Sequence, residues 1–189
     1  MNSSIEIGAS QQAIVRVADN GLIVADIGGT NARFARVTDA GQVTDVHTLS
    51  VSDHADVVQA TRAYMDAVAL GRGEGTIPLQ RAAFAVASPI AGDEVRLTNG
   101  PWSFSRQRVA KELGLRSLLV LNDFEALALS LPHLGALQIR PWGAAPVAQG
   151  MLAVVGAGTG LGVAGVLQTP QGWHAVPGSS AVRACWRMV

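Results

Sequence analysis

Four short stretches carry the residue types that phosphate and hydroxyl chemistry needs. In Asp26-Ile27-Gly28-Gly29-Thr30-Asn31, two glycines let backbone N–H groups turn toward an anion at close range. Thr30 and Asn31 add side-chain donors. A carboxylate beside bound phosphate repels it unless a cation intervenes, so Asp26 points to Mg²⁺ held through water. The same residues also read as a hairpin turn capped by Asp26. Gly156-Ala157-Gly158-Thr159-Gly160-Leu161-Gly162 offers a second phosphate loop, again with a plain hairpin as the alternative. In Leu119-Val120-Leu121-Asn122-Asp123-Phe124, Asp123 stands just past an apolar run, where open α/β sheets bind ligands. A carboxylate there can take the proton of a substrate hydroxyl as general base, and Asn122 can donate to and accept from a polyol. The competing reading makes Asp123 the N-cap of the next helix. Thr98-Asn99 near Trp102 suits a sugar face, or is a turn beside a buried tryptophan.

Two other motifs fail on context. Met151–Leu167 is uncharged with glycines at i,i+4, but its glycine content and short length do not fit a membrane-spanning helix. Gly160-Leu161-Gly162-Val163-Ala164-Gly165 matches G-x-G-x-x-G, yet Pro170 interrupts the helix a dinucleotide site requires, and no acidic residue follows. The four histidines are scattered without metal-ligand spacing, and the single cysteine, Cys185, permits neither an intrachain disulfide nor a cysteine-based zinc site.

The elements that position these stretches follow from hydrophobic patterning. Strands are expected over 21–27, 32–37 and 43–49, forming a meander, and again over 82–87, 94–98, 117–121, 151–155, 161–167 and from 172. Helices are expected over 53–70, capped by Asp53, from Ser105 to near Gly114, and over 125–131, stopped by Pro132. A meander followed by alternating strands and helices predicts an α/β fold with a mixed sheet. The 189 residues are 49% hydrophobic and 15% charged, which excludes a disordered chain. The formal net charge of +0 leaves no electrostatic footprint for nucleic acid. Met1–Asn20 has no apolar run of signal-peptide length and reads as a loose leader, so a cytoplasmic protein with no membrane partner is expected. All 14 acidic residues lie between Glu6 and Glu125; Ala126–Val189 has none.

Taken together, Asp26-Ile-Gly-Gly-Thr-Asn31-Ala-Arg, Thr98-Asn-x-x-Trp102-x-Phe-Ser, Asn122-Asp-Phe and Gly156-Ala-Gly-Thr-Gly-Leu-Gly162 resemble bacterial ATP-dependent glucokinase. Four motifs stand in family order, and Ala85–Asp93 resembles the family's strand and loop before the sugar segment. The resemblance implies the actin-like ATPase (ribonuclease H-like) fold of hexokinases, with two lobes, and transfer of the ATP γ-phosphoryl group to the 6-hydroxyl of D-glucose with Mg²⁺. It implies that Ala25, Asp26, Ile27, Gly28, Gly29, Thr30 and Asn31 embrace the ATP phosphates, with Asp26 at the metal, and that Gly158, Thr159 and Gly160 form the second phosphate loop. Asp123 would be the base, with Asn122 and Asn99 on the sugar. A homodimer is usual for the family.

The resemblance also divides the chain. Residues 21–134 would form the first lobe, 135–178 the start of a second, and 179–189 an atypical tail. Family members continue Pro-Gly-Glu-Gly-Gly-His, whereas Pro177-Gly178 is followed here by Ser179-Ser180-Ala181-Val182-Arg183. The motif's sugar-holding Glu and His are missing, which suggests truncation or a frame change and lowered activity. The alternatives are a non-catalytic fragment that binds nucleotide or sugar weakly and a kinase for another hexose.

Overall fold

The computed structural model describes residues 21–72, 79–140, 142, 150–157 and 161–178. The expected leader, the Gly158-Thr159-Gly160 loop, and the 179–189 tail with Cys185 lie outside the described residues, as does 73–78 between the expected helix over 53–70 and the strand over 82–87.

The expected meander forms from β1 (Leu22–Ile27), β2 (Asn31–Val37) and β3 (Val43–Ser50), paired antiparallel. Helix α1 (Val57–Arg72) follows, then β4 (Arg81–Val86). A short hairpin of β5 (Glu94–Arg96) and β6 (Ser103–Ser105) leads to α2 (Arg106–Glu112), β7 (Ser117–Asn122) and α3 (Asp123–Ser130). Strands β4 and β7 add in parallel, giving a five-stranded mixed sheet of order β3-β2-β1-β4-β7. A separate antiparallel ribbon, β8 (Met151–Ala157), β9 (Leu161–Thr169) and β10 (Gly172–Val176), completes the described residues.

Alternation along the strands sends one side-chain set to the core. Ile23, Ile27, Phe34, Phe84 and Val86 are buried there with Tyr64 of α1 and Val109 of α2. Phe34 stacks on Tyr64 with centroids 5.4 Å apart and meets Phe84 edge-on at 6.3 Å. A second cluster joins α3 to the ribbon through Ala128, Ala164 and Val166, with Phe124, Leu152 and Trp173 against it.

The helix starts differ from expectation at two caps. Helix α3 begins at Asp123 with Asn122 as its N-cap, not at 125. Asp53 lies in a 3-10 turn (Val51–Asp53), and α1 begins at Val57. The cap is Asp56, whose Oδ1 accepts from Gln59 N at 2.8 Å, while Gln59 Oε1 accepts from Ala55 N at 3.0 Å. Both aspartates precede the same apolar pattern, and the reciprocal glutamine decides between them. Ser105 caps α2 as expected, accepting from Arg108 N at 3.1 Å. Strand β6 escaped the hydrophobic pattern because three residues are too few to show a period.

Candidate active site

The parallel strands β4 and β7 end side by side, with Val86 opposite Asn122. The chain therefore delivers Ala87-Ser88-Pro89 and Asn122-Asp123 to the same sheet edge, the carboxyl end where α/β sheets bind ligands. The loop after β5 brings Thr98 and Asn99 to that edge. Facing them, the β8–β9 ribbon presents Gly156 and Gly162. These groups line a cleft of about 630 Å³.

Asn122 and Asp123 divide the work at the start of α3. Asn122 is the N-cap: its Oδ1 accepts from Phe124 N at 3.0 Å, and Glu125 Oε2 accepts from Asn122 N at 3.4 Å, closing a capping box. Its Nδ2 donates to the Ser88 carbonyl at 3.1 Å. One amide proton and one oxygen lone pair of the side chain are left over for a ligand. Asp123 occupies the first helical position rather than the cap. Its Oδ1 accepts from Phe124 N at 2.9 Å, and Oδ2 makes no hydrogen bond among the described residues. A half-buried carboxylate with one oxygen fixed and the other open to a cleft has the geometry of a proton acceptor.

Asn99 is exposed at the cleft mouth, and its backbone is pressed against the β1–β2 turn. A methyl group on Gly29 would overlap the Asn99 carbonyl, so only glycine admits this approach of the two loops. The turn itself is a hairpin, with Gly28 N donating to Asn31 O at 2.9 Å, so the turn reading holds for its backbone. Gly28, Gly29, Thr30 and Asn31 do not line the cleft; they stand behind Asn99. Ala25 and Ile27 send their side chains into the core. Trp102 is also a core residue, with its indole N–H on the His54 carbonyl at 3.0 Å, and offers no face to the cleft.

Asp26 is exposed on β1, opposite Arg33 of β2 and Ala85 of β4. It shares with Asp123 an adjoining cavity of about 360 Å³, also bounded by Phe124 and Leu127. No group of three or more His, Cys, Asp or Glu side chains gathers among the described residues. Magnesium can be held by a single carboxylate with its shell completed by water and substrate phosphate, and the exposed Asp26 carboxylate fits that mode. The ribbon meets the Asn122-Asp123-Phe124 segment through Phe124: a methyl on Gly156 would stand 2.8 Å from its ring, and one on Gly162 would overlap the ring. Gly156 and Gly162 are cross-strand partners, so together they make the notch that seats Phe124.

Ser88 and Phe124 line the cleft although neither has a role of its own in the sequence pattern: Phe124 stands only as part of the Asn122-Asp-Phe motif and Ser88 only within Ala85–Asp93. The signal for Ser88 is a serine directly after a buried strand and before a proline.

The glucokinase family profile matches residues 23–183. The chain is 45% identical over 153 residues to a glucokinase of Cupriavidus pinatubonensis, covering 79% of this chain and 43% of that one. It spans half or less of the curated relatives it matches. Among solved structures, glucokinase from an Antarctic psychrotroph matches with a TM-score of 0.72 at 36% identity, over 82% of this chain and 49% of that one. A ROK family glucokinase from Streptomyces griseus, in complex with glucose and AMPPNP, shares the fold with a TM-score of 0.54 at 20% identity, over 77% and 44%. The five-stranded mixed sheet is thus that of the glucokinase and ROK actin-like folds, over about half of their chains. No described helix is long and apolar enough to cross a membrane. A profile matched through the cleft motifs and a fold shared at 36% identity agree, and the chain belongs to the glucokinase family.

Proposed function

We propose that the cleft takes a hexose, D-glucose by family, and that Asp123 is the base for phosphoryl transfer from ATP to its 6-hydroxyl. The observation that carries this reading is the convergence of Asp123, Asn122 and Asn99 on one cleft, with an Asp123 oxygen that is unbonded among the described residues. The Asp123 carboxylate accepts the hydroxyl proton as O6 bonds to the γ-phosphorus. The bond from that phosphorus to the bridging oxygen breaks, and the products are ADP and glucose 6-phosphate. Asn122 and Asn99 orient the sugar. The Ala25–Asn31 segment and Gly158-Thr159-Gly160 are the proposed phosphate loops. Mg²⁺ at Asp26, when bound, neutralises phosphate charge. Such transfer depends on positioning and charge stabilisation, which glycine turns and one carboxylate can supply. The reading places 21–134 and 135–178 on opposite sides of the cleft as two lobes, in a cytoplasmic homodimer.

The test is a coupled assay of this chain with ATP, Mg²⁺ and a panel of sugars. The expected outcome is turnover on glucose that falls by roughly 10²–10⁴-fold in Asp123→Asn. Turnover unchanged by that substitution overturns the role of Asp123. A second reading, binding without transfer, is favoured by Ser179-Ser180-Ala181-Val182 standing where the family continues Glu-Gly-Gly-His. Zero turnover with ATP-dependent thermal stabilisation supports it, and turnover on another hexose alone reassigns the substrate.

A further inference from the structure

Three segments remote in sequence line the polar side of the cleft, and one buried residue bonds to the other two. Ser88, 2% exposed, follows β4. Its Oγ accepts from the backbone N–H of Thr98 at 2.7 Å and lies 3.0 Å from Thr98 Oγ1. Its carbonyl accepts from Asn122 Nδ2 at 3.1 Å. The segment is anchored in turn, with Ser88 N on Val86 O at 2.7 Å and Ala87 N on Ile27 O at 3.0 Å. We infer that Ser88 is the positioning residue of the cleft, holding Asn99 through Thr98 and Asp123 through Asn122 in one register. What the cleft takes rests on the hexose reading above; the bonding role does not.

The residue is only 2% exposed and its hydroxyl is engaged by Thr98, so it acts through its neighbours. Removing it strands the Thr98 N–H, and a stranded donor is relieved most easily by the loop moving toward water. The hairpin beneath would hold its place, because Leu97 N donates to Trp102 O at 3.0 Å and Val95, Leu97, Trp102 and Phe104 are core residues. The consequence therefore falls on Asn99 and its ligand more than on the fold.

The experiment measures amide hydrogen exchange by NMR and glucose binding by calorimetry on the 189-residue chain. In Ser88→Ala, Thr98 exchange accelerates about five- to tenfold while Leu97 is unchanged, and the glucose Kd rises by a similar factor. Ser88→Thr, which keeps the hydroxyl, restores both. If Ser88→Ala does not fold, Ser88→Cys, with a larger and poorer acceptor, shows the same selective loss at Thr98. Unchanged Thr98 exchange, equal loosening of Thr98 and Leu97, or loosening with unchanged glucose affinity overturns the inference. If the parent chain binds no glucose, the hexose reading falls, and Thr98 exchange with the Asn122 side-chain amide shift decides the role of Ser88.

Discussion

Adjacent residues at the cleft, Asn122 and Asp123, are both able to cap a helix, and the fold assigns the cap to only one of them. Asn122 spends its oxygen on Phe124 N and a proton on Ser88 O, whereas Asp123 has one oxygen outside any such bond. Losing an N-cap costs about 1 kcal/mol, and Asn122→Ala would also strand the Ser88 carbonyl. Thermal or denaturant unfolding should therefore show Asn122→Ala destabilised by about 1–2 kcal/mol, with Asp123→Asn within about 0.5 kcal/mol of the parent. Equal losses would mean that Asp123 is structural too. The Asn-Asp-Phe motif was legible because a carboxylate past an apolar strand is a recognisable pattern. The division of roles was not, since either side chain can reach the first-turn amides and only the position of Ser88, 34 residues away along the chain, breaks the tie.

Between elements, the sequence was most legible where hydrophobic alternation runs for five residues or more. Strands β1, β2, β4 and β7 fall where the pattern put them. It was least legible in the hairpin that carries Asn99, where β5 falls within the expected 94–98 strand but its three-residue partner β6 was not expected. That hairpin is held to α2 by Asp93, a polar residue no hydrophobic period could flag. The Asp93 carboxylate accepts from Ser105 Oγ at 2.5 Å and from Gln107 N at 3.0 Å. The Ser105 bond and then the Gln107 bond hold its pKa below the ordinary value; burial opposes them by less, and the charge of Arg106 adds the smallest lowering effect. A carboxylate whose folded pKa is depressed stabilises the fold above its unfolded pKa, about 3.9, and that contribution fades as pH falls through the folded value. Paired melts of the parent and Asp93→Ala between about pH 6 and pH 3 should show a gap that is constant down to about pH 5 and then narrows. A gap that stays constant or widens on acidification would assign Asp93 no pH-linked role.

Over the whole molecule, the five-stranded sheet is covered by α1 and α2 on one face, while the other carries small and apolar side chains around Asp26 and Arg33 and meets α3 at its β4–β7 side. Ala35, Val24, Ala83 and Leu119 are successive partners across β2, β1, β4 and β7, so they form a row on the face away from Phe34 and Phe84. Among the described residues, Val43 is 60% exposed, Val46 54% and Leu119 52%. Val24, Ala35, Val43 and Val46 border an open cavity of about 370 Å³ with Asp26 and Arg33. Contiguous exposed apolar surface of this kind associates unless something opposes it. Charge does not oppose it here: the formal net charge is +0 at pH 7, so copies meet without long-range repulsion. The chain should therefore self-associate at concentrations of about 10–100 µM, tested by sedimentation velocity, with association strengthening rather than weakening as salt is added. Val46→Lys with Leu119→Lys places a cation on each side of the sheet face without touching the core. That variant should sediment as a monomer with an unchanged melting temperature. A parent that stays monomeric throughout, or a double variant that associates as before, would show that this face does not drive contact between copies.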